Sequence, residues 1–167
     1  SDDYEVVGGS AEIALDLNAI SRRYGLSVDP EVRANIALDL PLPISGDRSD
    51  FSETLTGNFS EHPFANLPVK LSMTVQDANG QSSDVNTTHL ILPGGRFFDP
   101  MARALIEQRQ WLLWSKDNVG RTIQMIRAIS HRPDDVFRSK TAYLRMRVIL
   151  RRLETQIAFD QFTHCLL

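Results

Sequence analysis

The sequence predicts an antiparallel β-sandwich over residues 1–95, followed by a segment of about three α-helices over residues 96–167. Three observations carry this. Apolar residues alternate with polar ones at period two in the first part and recur at helical spacing in the second. Of nine glycines, eight precede residue 96, and six of the eight prolines do. Charge divides at the same place. Residues 1–96 hold 6 basic and 14 acidic side chains, net −8, whereas residues 97–167 hold 12 and 7, net +5. Turn-rich acidic sequence thus gives way to turn-poor basic sequence, and the two units are expected to meet near Pro93-Gly94-Gly95.

The strands come first. Ala11, Ile13, Leu15 and Leu17 alternate with Glu12 and Asp16. Ala34, Ile36, Leu38 and Leu40 alternate with Asn35 and Asp39. Val69, Leu71, Met73 and Val75 alternate with Lys70, Ser72, Thr74 and Gln76. Each run predicts a strand with one wet and one buried face. Phe51–Thr56 and Val85–Leu92 are weaker candidates. Pro41, Pro43, Pro63 and Pro68 fall between the runs and are expected to lie outside central strands. Asn79-Gly80 is a hairpin signal, because both residues tolerate positive φ. Short strands separated by turns over about 95 residues read as a sandwich of immunoglobulin-like type. Asn18–Arg33 reads as a long polar connection within it.

The helices follow. Asp99-Pro100 is a start signal, a capping carboxylate before a proline at the first helical position. Ala102, Leu105, Ile106, Leu112 and Leu113 then form an apolar stripe. Ser115-Lys116-Asp117-Asn118 interrupts the pattern. Val119, Ile123, Ile126 and Ile129 make a second stripe that ends before Pro133. Tyr143, Met146, Leu150, Leu153 and Ile157, spaced 3-4-3-4 after a cap at Ser139, make the third and strongest. Trp111 and Trp114 are expected to place at least one ring in the seam between helices and sandwich, the competing arrangement being an exposed aromatic patch.

Composition narrows the function classes. With 42% hydrophobic and 23% charged residues the chain can build a core. It has no apolar run long enough to span a bilayer, and its acidic N-terminus is not a signal peptide. The single cysteine, Cys165, rules out an internal disulfide or a multi-cysteine zinc site within the chain. Net −8 makes the first unit a poor nucleic-acid binder, so no nucleic acid is expected as a partner.

Motifs for chemistry are sparse. Asp77-Ala78-Asn79-Gly80 with Asp84 resembles a calcium loop faintly, but it lacks the third acidic ligand and the closing glutamate, and reads as a turn. His62, His89, His131 and His164 are far apart, and only His131 has carboxylates close by, Asp134 and Asp135. GxSxG, GxxxxGK[ST] and HExxH are absent. No catalytic, cofactor-binding or metal-binding residue is assigned, and the chain is not expected to be an enzyme. Arginine outnumbers lysine 15 to 3. At about 100° per residue, Arg138, Arg145 and Arg152 fall on one flank of the third stripe, and Arg147 and Arg151 on the other. Arginines so placed suit a membrane surface or an acidic partner, or form a solvated helix edge.

Three stretches carry a resemblance. Asp2-Asp3-Tyr4-Glu5-Val6 resembles a "DDYGV" opening. Residues 61–69, EHPFANLPV, with Asp77-Ala78-Asn79-Gly80-Gln81 after them, resemble "HPWAGLPV" followed by "DAAGQ". Residues 92–109, LPGGRFFDPMARALIEQR, resemble "LPERRFTHPLARALIEQRR". Together they resemble the family of large bacterial membrane-anchored proteins known as domain of unknown function 4175. The chain departs from the family pattern at Glu5 and Asn66, where the family has glycine, and at Gly94-Gly95, where it has Glu-Arg. The resemblance implies a piece of an extracytoplasmic region on the periplasmic side of the bacterial inner membrane, tethered through a part of the parent protein outside this chain. It supplies no catalytic residues. It makes the His62-Pro63 block an approach turn and the block Ala102–Arg109 a docking element, in which Arg103 and Glu107 have the i,i+4 spacing of an ion pair.

These readings converge on a noncatalytic interaction module. Its expected partner is another protein or a second copy, contacted through Tyr143, Met146, Leu150, Leu153 and Ile157 with Arg145 and Arg152. The alternative is a sandwich that binds glycan or peptide, using the loops near Asn79 and the aromatics Tyr4, Tyr24, Phe51, Phe59 and Phe64.

Overall fold

The computed structural model describes residues 6–43, 51–137 and 139–165. The chain divides into two compact units, residues 1–20 with 32–95 and residues 21–31 with 96–167. Residues 21–31, expected as a connection within the first unit, therefore belong to the second.

The first unit is a four-stranded antiparallel sheet of order β2-β1-β3-β4, with β1 Val6–Leu15, β2 Ile36–Asp39, β3 Pro68–Asp77 and β4 Asn86–Ile91. In register, Ile13 lies between Ile36 and Leu71, and Val69 pairs with both Leu15 and Leu90. The apolar face so formed is closed by the irregular segment 59–67. Ile13, Phe64, Val69 and Leu92 make the core, with Leu15, Ile36, Leu38, Phe59, Leu71 and Leu90 packed around them.

Only one sheet is present among the described residues, so the second layer of the expected sandwich is a loop. The reason is local. Phe51–Thr56, one of the weaker strand candidates, adopts no strand. Residues 61–67 instead run through successive turns, closed by Ala65 N–H on His62 O and Leu67 N–H on Phe64 O. These turns bury Phe64, Ala65 and Leu67 over the sheet. Pro68 opens the central strand β3, which proline tolerates at a first position.

Burial alternates through the middle of β1 and in β2, but in β3 residues 70–74 are all half-buried. Val69 is fully buried, Leu71 and Met73 half-buried, and Val75 exposed. At the end of β1 the expected faces reverse, with Leu17 exposed and Asp16 buried. Leu15 is the last strand residue, and beyond it Asp16 donates its N–H to Pro68 O while Ala19 N–H closes a turn on Asp16 O. The β3–β4 hairpin turns at Asn79-Gly80 as expected. Gly80 takes φ 77°, and Asp77 Oδ1 accepts the N–H groups of Asn79 and Gln81 at 2.9 and 2.8 Å.

Asn66 also takes positive φ, 61°. Asparagine is among the few non-glycine residues at ease there, which explains how this chain keeps a turn built on glycine in the pattern it resembles. A Cβ on Gly94 would lie 2.2–2.5 Å from the Asn66 side-chain atoms. The Asn66 side chain thus occupies the space that a side chain at 94 would need.

The second unit is helical, with α1 Pro100–Trp114, α2 Val119–Ile129, the single turn α3 Pro133–Val136 and α4 Lys140–Cys165. Asp99 caps α1 as predicted, its Oδ1 accepting Met101 N–H and Ala102 N–H at 2.9 Å each. The break between α1 and α2 is a 3-10 turn, Lys116–Asn118, begun by Ser115 Oγ accepting Asp117 N–H.

Candidate interaction surface

The helical unit is organised around the two tryptophans. Trp111 and Trp114 are both buried, so no exposed indole patch forms. They pack on residues 21–31, the polar stretch that carried no strand or helix pattern. Tyr24 stacks on Trp111 with ring centroids 6.5 Å apart, and Arg22 lies over Trp114. Trp114 Nε1–H donates to Val28 O at 2.8 Å, and Glu31 N–H donates to Trp114 O at 2.7 Å. Buried Asn118 ties the junction together, its Nδ2 donating to Gly25 O and Trp111 O at 2.8 and 2.9 Å. Arg121 closes the other side of Trp111, 5.1 Å from the ring centroid. The Trp114 indole N–H and the Asn118 amide N–H groups thus have backbone partners, which lowers the cost of burying them, whereas the buried Gln108 Oε1 and Thr122 Oγ1 have none among the described residues.

The stripe expected on α1 is only half-buried. The side of α1 that is fully covered carries Gln108, Trp111 and Trp114. On α2 the expected stripe is the covered one, with Ile123 and Ile126 buried beside Thr122. Arg103 and Glu107 are exposed on α1, and their ion pair is not formed among the described residues.

α4 packs on α2. Arg127 of α2 and Glu154 of α4 join through two hydrogen bonds to one carboxylate oxygen, 2.9 and 2.7 Å. Glu154 lies next to the stripe on the wheel, so this pair fixes which face of α4 turns inward. Tyr143, Met146, Leu150, Leu153 and Ile157 are all half-buried, the most protected α4 positions together with Glu154. Tyr143 also meets Phe137, ring centroids 5.6 Å apart. The five residues expected to meet a partner therefore lie on the protected side.

The opposite face is the exposed one. Leu144, Val148 and Ile149 are 58%, 53% and 47% exposed. Arg145, Arg147, Arg151 and Arg152 are exposed around them, Arg147 lying 6.0 Å over the Tyr143 ring. Arg138 lies outside the described residues. Leu144, Arg147, Val148 and Arg151 help to line a shallow depression, and Val148, Arg151, Arg152 and Thr155 help to line another. The arginine positions were legible from the sequence. The aliphatic residues between them were not singled out, because their spacing is less regular than that of the inner stripe.

The sheet unit holds two polar arrangements. Asp16 Oδ2 meets His89 Nδ1 at 2.9 Å, and Oδ1 lies 3.5 Å from Lys70 Nζ. Burial works to raise the Asp16 carboxyl, but the His89 hydrogen bond and the Lys70 charge outweigh it, and the group titrates below the ordinary carboxylate range. His62 Nδ1 accepts Phe64 N–H at 3.1 Å. Burial first, and then the charge of Arg33, lower its pKa. Among the described residues no three His, Cys, Asp or Glu side chains come together as a metal site, and no helix is long and apolar enough to cross a membrane. Of the aromatics considered for a glycan platform, Phe59 and Phe64 are committed to the core, Tyr24 belongs to the helical unit, and Tyr4 lies outside the described residues.

No curated protein and no solved structure matches the chain. A family model matches residues 1–166, nearly the whole length, and the chain belongs to the family described as Domain of unknown function (DUF4175).

Proposed function

We propose that the chain is a noncatalytic interaction module, an extracytoplasmic part of a membrane-anchored bacterial protein on the periplasmic side of the inner membrane. In this reading α4 is the working surface. The observation that carries it is the outward face of α4, where exposed Leu144 and Val148 lie among four arginines on a helix whose other side is occupied by α2. Exposed apolar residues ringed by charge are a recurrent form of docking surface. The immunoglobulin-like character of the sheet unit is part of the same proposal. The glycan-binding alternative asks for an exposed aromatic platform, and the placement of Phe59 and Phe64 in the core favours the interaction reading over it.

A photocrosslinking residue introduced into the parent protein in its own envelope tests this reading. At Val148 it is expected to give a discrete adduct, and at Ala128, exposed on α2, none. Absence of an adduct from positions 144, 148, 149 and 152 alike defeats the reading.

A further inference from the structure

We propose that the outward face of α4 docks on an anionic lipid surface. The inference rests on the interaction-module reading and names its partner by chemistry. At about 100° per residue, Leu144, Val148, Arg151 and Thr155 fall within an arc of about 60°, with Arg147 on one side and Arg145 and Arg152 on the other. The spine from Leu144 to Thr155 runs about 16 Å along the helix.

Charge is the first argument for lipid. Between residues 140 and 158 the only acidic residue is Glu154, and its carboxylate is taken by Arg127 on the inner side. Glu154 borders one depression, but with its carboxylate paired the outward face carries a strong excess of positive charge, which suits a surface of many equivalent negative groups. Shape is the second. The face is the convex side of a single helix, and among the described residues its depressions are lined by α4. A fluid headgroup layer conforms to such a surface, whereas a protein partner needs a complementary groove and anchors for its register. The face offers no tryptophan or tyrosine anchor of the kind that dominates protein interfaces, Tyr143 being turned inward. The side chains are the third. Arginine stems lie along apolar surface while their forks reach phosphate oxygens in pairs, which lets Leu144 and Val148 enter the headgroup boundary without stranding a charge.

The test is co-sedimentation of the 167-residue chain with vesicles of phosphatidylcholine alone and of phosphatidylcholine mixed with phosphatidylglycerol, at low and high salt. Helical circular dichroism checks the fold of each variant. The chain is expected to bind the anionic vesicles only, and less at high salt. Arg145→Glu with Arg152→Glu should lower partitioning roughly tenfold or more. Val148→Asn should lower it severalfold, and Arg103→Glu, on α1, should leave it unchanged. Equal binding to neutral vesicles, no binding to either, or binding indifferent to the α4 variants overturns the lipid proposal. Light scattering on the same samples separates this failure from that of the broader reading. A chain that ignores vesicles but forms dimers dissolved by the double reversal keeps the interaction module and replaces the lipid with a second copy. A chain that does neither, and gives no adduct from Val148, loses both.

Discussion

Gly25→Ala tests whether residues 21–31 hold the helical unit together. A Cβ at this position would lie 2.2, 2.3 and 2.7 Å from Cγ, Cδ2 and Cδ1 of Trp111. Carbon atoms prefer roughly 3.5–4.0 Å, so the indole or the segment must retreat by about 1.3 Å. Neither moves freely. The ring is held between Tyr24 and Arg121, and Asn118 bonds both Gly25 O and Trp111 O. Overpacking of a fixed core costs about 1–3 kcal/mol, and the two strained hydrogen bonds place this case near about 3. The chain has only two tryptophans, both in the helical unit, so tryptophan fluorescence during urea unfolding reads that unit alone. With a urea slope of about 1–2 kcal/mol per molar for a unit of this size, the midpoint should fall by roughly 1.5–3 M. Gly120→Ala is the control. It is the same substitution in α2 with nothing within 4 Å of the new methyl, and it should stabilise by about 0.5–1 kcal/mol. A Gly25→Ala midpoint equal to that of the parent chain, with Gly120→Ala raised as expected, refutes the anchoring argument.

Three further outcomes are expected. Val69→Ala should cost the sheet roughly 2 kcal/mol and Val75→Ala less than about 1, because Val69 is fully buried and Val75 is 37% exposed; equal losses in thermal melts contradict the register. Gly94→Ala should destabilise the chain but become harmless in an Asn66→Gly background. The coupling should be about 1 kcal/mol in a double-mutant cycle, and a coupling of zero shows that positions 66 and 94 vary independently. His62 should titrate below the ordinary histidine value in an NMR titration, and Arg33→Ala should raise it. Since the fold favours neutral His62, its contribution is present above about pH 6.5 and is lost as pH falls toward the lowered folded value, so a His62 titrating above 6.5 reverses the sign.

The sheet was legible where a strand has one wet face over its full length. Ile13 with Leu15, Ile36 with Leu38, and Val69 with Leu71 alternate because each faces the same core, and Gly80 lets the last hairpin turn through positive φ, while Asn79 keeps negative φ. The second layer was not legible, because nothing in period-two alternation says what covers the buried face. Here the cover is residues 59–67, whose Phe64, Ala65 and Leu67 have no period at all. Asp16 was misassigned for a related reason. The alternation runs on through Leu17, but pairing ends at Leu15, and a carboxylate with histidine and lysine partners buries more readily than the pattern allows. Residues 21–31 escaped notice because their role is carried by backbone carbonyls and by the absence of a side chain at Gly25, features that hydropathy does not register.

The candidate surface shows the same limit from the opposite side. The 3-4-3-4 spacing of Tyr143, Met146, Leu150, Leu153 and Ile157 marks a face that must be covered, and regular spacing of that kind is the property α2 requires of a packed neighbour. Strong periodicity is thus a signature of a satisfied face, and it points away from a surface kept for a partner. The residues left outside follow no heptad, and they stand out only once the inner face has been assigned by the Arg127–Glu154 pair. Apart from Glu154 at its edge, every charged side chain of that outer face among the described residues is basic, Lys140 and four arginines. Solvation alone does not require this, since glutamate and lysine on an exposed helix serve solubility equally well and would gain i,i+4 pairing. A face that forgoes such pairing and keeps Leu144 and Val148 in water has a composition that a purely solvated helix edge does not explain, whereas contact with phosphate groups accounts for both its excess of positive charge and its aliphatic spine.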